Sequence, residues 1–117
     1  MAKKIVQIDV EVAIIEFKED GLHFFYSPAL DITGYGKTKT EARDSYNLTV
    51  EEFMKYTYNK QTLLKELERL GWTISKKKKI SAPTLSKLIQ NRSYLEEIFT
   101  EKKFHKTDEK LSLPSIA

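Results

Sequence analysis

Val6-Gln7-Ile8-Asp9-Val10-Glu11-Val12-Ala13-Ile14 runs on through Ile15-Glu16-Phe17 to Lys18-Glu19-Asp20-Gly21, and Leu22-His23-Phe24-Phe25-Tyr26 follows. The fold is decided in this stretch. Val6, Ile8, Val10, Val12 and Ile14 alternate with Gln7, Asp9, Glu11 and Ala13, the period of two of a strand with one apolar and one polar face. The polar face turns apolar at Ile15 and Phe17, so the far end of the strand is expected to be covered on both sides. Asp20-Gly21 between two strand-like runs predicts a tight hairpin, because glycine accepts the positive φ that a two-residue turn needs. Ser27-Pro28 ends the second strand, since proline cannot donate to a ladder. A third strand is expected from about Leu30 to Tyr35. Gly34 and Gly36 around Tyr35 imply a bulge or a sharp exit.

A helix is predicted next. Thr38 and Glu41 have the spacing of a capping box, in which hydroxyl and carboxylate each accept from a free amide. Ala42, Tyr46, Val50, Phe53, Met54 and Thr57 then share one face. Thr62 is expected to cap a shorter helix with Leu63, Leu64, Leu67 and Leu70 as its apolar stripe. Gly71 stands where a helix end favours a left-handed residue. Trp72-Thr73-Ile74 is expected to rejoin the sheet. Beyond Lys76-Lys77-Lys78-Lys79, Ala82-Pro83 predicts another helix start. Leu85, Leu88 and Ile89 form its stripe, Asn91-Arg92-Ser93 interrupts it, and Tyr94, Leu95, Ile98 and Phe99 resume it. Lys110 to Pro114 alternates like a strand, and Leu111 to Pro114 is expected to add an edge strand in its own or a neighbouring subunit. The fold class is α+β: a small antiparallel sheet of three to four strands with one main helix packed on it, a short C-terminal helical appendix and a tail strand. The division expected is a sheet-plus-helix domain over residues 1–75 and a basic appendix over 76–117.

Composition narrows the function. At 40% hydrophobic and 32% charged residues, the chain is too apolar for a disordered protein. Its 117 residues suffice for one core. With no cysteine, disulfides, thiolate zinc sites and cysteine nucleophiles are excluded, and a reducing cytoplasm is the expected compartment. No secretory leader or membrane span is read in the sequence. The net charge of +3 is unevenly spread: residues 1 to 75 carry 10 Lys and Arg against 12 Asp and Glu, and residues 76 to 117 carry 10 against 5. An acidic front and a basic back suggest surfaces for different partners.

The run Glu16 to Leu30 resembles the front of HicB-like antitoxins: an acidic-Gly hairpin, an aromatic strand, then a small residue, Pro28, any residue and Leu30. Gly34-Tyr35-Gly36, the threonine-containing spacer and Glu41-Ala42 continue the likeness. Leu70-Gly71-Trp72 and Leu111-Ser112-Leu113-Pro114 are similar to features of a subgroup. The resemblance covers roughly residues 5 to 75 and the tail. It implies a partial, degenerate RNase H-like sheet. It also implies neutralisation of a small basic HicA-type toxin, an RNA-cleaving protein with a catalytic histidine, by covering the toxin's active site. Homo-oligomers, dimers or tetramers, and repression through operator DNA are common among such relatives. Ser27 stands where many of them have cysteine. Residues 80 to 117 show no helix-turn-helix pattern, which separates this chain from the DNA-binding members.

No enzyme is read here, and no cofactor, metal or membrane partner. His23 and His105 are the only histidines, too few for a hydrolytic metal centre unless Asp9 or Glu11 joins His23. Asp9, Glu11 and Asp31 are the acids that an RNase H-like metal pair would recruit, and a solvated strand face is the plainer reading of the first two. Gly34-Tyr35-Gly36 lacks the third glycine and the βαβ context of a dinucleotide site. Lys76, Lys77, Lys78 and Lys79 are either a phosphate-binding run or a solvated linker. Phe25 is either an exposed anchor for a partner or is buried under the appendix helix. The residues expected to contact a toxin are Asp9, Glu11, Glu19 and Asp20, with Tyr26, Ser27, Pro28 and Leu30. An acidic surface would steer a basic partner. The alternatives are a nucleic-acid-binding regulator using the basic C-terminal part and an orphan homo-oligomeric binding protein.

Overall fold

The computed structural model of the protein describes residues 7–75 and 80–114. Strand β1 (Gln7–Glu19) turns into β2 (Leu22–Ser27), and β3 (Ile32–Gly36) follows. Helices α1 (Lys39–Asn59) and α2 (Leu63–Arg69) come next, then the short strands β4 (Thr73–Ile74) and β5 (Ile80–Ser81). Helices α3 (Leu85–Asn91) and α4 (Ser93–Glu101) lead to β6 (Phe104–Pro114). The main sheet is antiparallel throughout, in the order β3-β2-β1-β6.

The hairpin forms as its residues require. Glu19 pairs with Leu22, and the two residues between them, Asp20 and Gly21, both have positive φ, 52° and 79°. That is the turn whose twist matches paired strands. The second turn spans Pro28–Asp31, closed by the Asp31 amide on the Pro28 carbonyl at 3.3 Å. Leu30 therefore lies in the turn, and the third strand begins at Ile32 rather than at Leu30.

Register divides the sheet into two faces. Glu16, Phe25, Gly34 and His105 lie side by side on one; Phe17, Phe24, Tyr35 and Phe104 lie side by side on the other. Helix α1 covers the first. A Cβ at Gly34 would stand 2.7 Å from the Tyr46 Cα and nearer still to the Ala42 carbonyl, so only glycine allows α1 to lie this close to β3. Phe25 meets the Tyr46 ring at 5.0 Å beneath this helix. It is buried under α1, not under the C-terminal appendix and not as an exposed anchor. Helix α4 packs on the opposite face, where Tyr94 meets Tyr26 and Phe99 meets Phe104. This double cover explains why both Ile14 and Ile15 are fully buried, each contributing about 1.5–3 kcal/mol of apolar burial.

Capping residues set the helix ends. Thr38 Oγ1 accepts from the Glu41 amide at 3.1 Å, and Glu41 reaches back to the Lys37 amide at 2.8 Å. The carboxylate thus satisfies the residue before the cap rather than the cap itself. Thr62 occupies the cap position of α2, but its hydroxyl makes no capping bond. Helix α2 closes as a Schellman motif: Gly71, at φ 98°, donates to Glu68, and Trp72 donates to Leu67. Helix α1 ends in the same way, with Gln61 at φ 56° donating to Tyr58 and Thr62 to Thr57.

Beyond α2 the chain departs from expectation in three places. Thr73–Ile74 does not rejoin the main sheet; it pairs with Ile80–Ser81 in a separate two-stranded ribbon. Helix α3 starts at Leu85, capped by the Thr84 hydroxyl accepting from the Lys87 amide, so Pro83 precedes the helix instead of opening it. The tail strand is longer than its alternating end suggested, pairing with β1 from Phe17↔Phe104 to Gln7↔Pro114 within the chain itself. Leu88, Leu95, Ile98, Leu111 and Leu113 belong to the same buried cluster as Val12, Phe25 and Tyr46.

Candidate functional site

The face opposite α1 carries a row of four aromatic rings, one from each strand. The hairpin register sets Phe17 against Phe24, β3 sets Tyr35 against Phe24, and β6 sets Phe104 against Phe17. Phe17 and Phe24 stack at 5.1 Å with planes 10° apart, and Phe24 meets Tyr35 at 6.4 Å. Helix α4 touches the row at its β6 end, where Phe99 meets Phe104 edge-on at 4.4 Å. Lys102 reaches over the Phe17 ring at 5.9 Å. Exposure is lowest at Phe17, 5%, and rises to both sides, to 38% at Phe104 and 61% at Tyr35. An exposed tyrosine resting against one neighbouring ring, Phe24, has less rotamer freedom to lose on contact, which suits an interface anchor.

Acids border the row at its hairpin end. Glu19 pairs with Lys102 at 2.6 Å, and this bond holds the Lys102 ammonium above its ordinary pKa. Glu97 and Tyr94 lie close enough to act on Lys102 through space, and Asp20 is exposed in the turn beside Glu19. Burial raises the Tyr94 phenol, with the Glu19 charge adding to the rise.

The expected toxin-contact residues separate into three places. Glu19 and Asp20 lie by the aromatic row. Asp9 and Glu11 are exposed on the same face, but Asp9 is ten residues from Glu19 along β1, about 33 Å at strand rise. The Asp9 carboxylate there accepts from Ser112 Oγ at 2.7 Å. Tyr26, Ser27, Pro28 and Leu30 form the third group, and all four are buried. Trp72 Nε1 donates to the Ala29 carbonyl at 2.8 Å. Arg92 Nη1 donates to the Pro28 carbonyl and, at 3.2 Å, to the Tyr26 hydroxyl, which itself donates to Asp31 at 3.0 Å. Ser27-Pro-x-Leu30 thus ties the appendix to the sheet and presents no side-chain surface.

Neither proposed acid cluster assembles. His23 sits opposite Lys18 on the α1 face, away from Asp9 and Glu11, and Asp31 is engaged by Tyr26 and Arg92. Among the described residues no three His, Asp or Glu side chains are placed to share a metal ion. Lys76 to Lys79 lie outside the described residues. No described helix is long and apolar enough to cross a membrane.

Tyr35, Tyr94 and Phe104 are absent from the sequence-derived contact set. Counting back from the Asp20-Gly21 turn pairs Phe17 with Phe24, so half of the row is implicit in the hairpin. Phe104 has no such local signal, because its partner is 87 positions away. No protein-family model, no curated protein and no solved structure matches the chain.

Proposed function

We propose that the chain is a HicB-type antitoxin that binds a small basic HicA-type toxin and neutralises it by covering its RNA-cleaving site. The observation that carries this reading is the aromatic row ending in exposed Tyr35, with Glu19, Asp20 and Glu97 at its hairpin border. Rigid aromatic anchors supply contact area, and acids alongside steer a cationic partner and disfavour nucleic acid. The ordered likeness of Glu16 to Leu30 and Gly34 to Ala42 to HicB proteins supports the same reading. Mechanistically this is stoichiometric obstruction, and no residue of the chain itself takes part in bond cleavage.

The test is to look for an adjoining reading frame that encodes a small basic protein, co-express the two, and follow with pull-down and an RNA-cleavage assay. A stable complex that silences cleavage is expected. Tyr35→Glu, an exposed position, should weaken the complex at least tenfold while leaving the melting temperature within a few degrees. No complex, together with DNA or RNA binding that collapses as salt rises, would replace the antitoxin with a nucleic-acid-binding regulator.

A further inference from the structure

A second feature opens toward the α1 face at the same hairpin end, shares Phe17, Phe24 and Phe104 with the aromatic row, and is argued without the toxin reading. On the α1 face, where the helix leaves the hairpin end uncovered, there is a cavity of about 310 Å³. Its wall carries Lys18, Lys39, Lys103, His23 and His105, with Glu16 as its single acid. Three lysines against one glutamate leave the wall two charges positive even with both imidazoles neutral. None of these six side chains has a hydrogen-bond or ion-pair partner among the described residues, whereas neighbouring Arg43 and Lys102 are both paired with glutamates. The rest of the lining is apolar: Phe25 and Ala42, together with Phe17, Phe24 and Phe104 of the aromatic row. Register explains the convergence: Glu16 pairs with His105 and Lys18 with His23, so four of the six groups lie in two adjacent rows on one face. Lys39 is the first residue of α1, and the positive end of a helix of 21 residues adds to the field.

We infer that this cavity binds a small aromatic anion, a planar ring carrying a phosphate or carboxylate. The volume is at the lower end of small-molecule sites, enough for one ring and its anionic group. The apolar lining takes the ring, and the unpaired cations take the charge. A bare inorganic anion would leave the apolar lining unused, and a neutral ring would leave the cations unused. Both halves of the ligand are therefore required.

The probe is phenyl phosphate, titrated into the full chain and followed by amide and imidazole NMR. Shifts confined to His23, His105, Lys39 and Ala42 are expected, with phenol and inorganic phosphate each binding at least tenfold more weakly. Lys39→Glu combined with Lys103→Glu, both exposed, should raise the Kd at least tenfold. If that pair of changes unfolds the protein, Lys18→Glu alone reads the same effect. Shifts spread over remote lysines such as Lys55 and Lys110, phenol or phosphate binding as tightly as the probe, or an affinity unchanged by charge reversal would each overturn the assignment.

Discussion

Gly34→Ala is a one-carbon change whose cost follows from the helix–sheet contact. The new Cβ would stand 2.7 Å from the Tyr46 Cα, while ordinary contact begins at 3.4 Å. Helix α1 must therefore retreat by at least about 0.7 Å, since the obstruction is backbone and cannot rotate aside. A gap of that size forfeits a quarter or more of the dispersion energy between facing atoms. Tyr46 is 4% exposed, and a large buried side chain makes roughly 50 contacts of about 0.15 kcal/mol, so Tyr46 alone loses about 2 kcal/mol. Ala42 adds to the loss, and alanine's lower unfolded-state entropy returns about 0.5 kcal/mol. The net expectation is a destabilisation of about 2–3 kcal/mol. In urea, with a slope of about 1.5 kcal/mol per molar, the midpoint falls by about 1.5 M or more. The sole tryptophan, Trp72, is buried and reports the transition by fluorescence. Gly21→Ala is the control: no atom lies within 4 Å of its Cβ position, and only its φ of 79° opposes the change, at about 1 kcal/mol. A Gly34→Ala protein as stable as the wild type, or more stable than Gly21→Ala, would refute the close-approach argument.

Gln61→Gly should stabilise the protein by about 0.5–1 kcal/mol, because Gln61 closes α1 at φ 56°, a conformation that costs a side-chain-bearing residue more than glycine; urea denaturation gives the sign directly, and a loss of stability would contradict it. The Tyr26 phenol is pushed up to about 12 by burial, with the Arg92 guanidinium opposing and Asp31 adding to the rise. Below pH 10 both folded and unfolded chains keep this proton, whereas between pH 10 and about 12 only the folded chain does, so stability falls as pH rises, by roughly 2 kcal/mol across that window. The stability difference between wild type and Tyr26→Phe should shrink accordingly from pH 9 to 12, and a constant difference would rule the linkage out.

What the sequence reveals here is what neighbouring residues decide. The Asp20-Gly21 turn, the Thr38 and Glu41 cap and the Gly71 helix end each depend on a few consecutive residues, and each forms where the pattern places it. The alternation of Val10, Val12 and Ile14 identifies the face that α1 covers. The apolar turn of the other face at Ile15 and Phe17 also announces a second cover, and both are buried; which element supplies that cover is illegible, because α4 arrives from some 80 residues away and periodicity does not name the partner. Phe25 was ambiguous for that reason. The buried state of Tyr26 to Leu30 depends on Trp72, just beyond α2, and Arg92, at the junction of α3 and α4. Charged residues at alternate positions of β6 hide its length, since Lys106, Asp108 and Lys110 dilute the apolar signal of an edge strand. For the candidate site, Glu19 and Asp20 were readable from the hairpin, whereas Tyr35 and Phe104 became part of one row only through pairing across four strands.

The pairing of β1 with β6 also sets a timetable. Asp9 and Ser112 meet across 103 positions, so the first strand to be synthesised waits for almost the last. At 5–20 residues per second, the interval between Glu19 and Phe104 lasts roughly 4 to 17 s. Throughout it, one edge of β1 has no ladder partner from its own chain. Non-local closure of this kind folds slowly and exposes a template for the wrong strand. A ribosome that stalls before residue 104 therefore leaves a nascent chain with an adhesive edge, and speed of translation through the roughly 255 bases between those two codons becomes a determinant of yield.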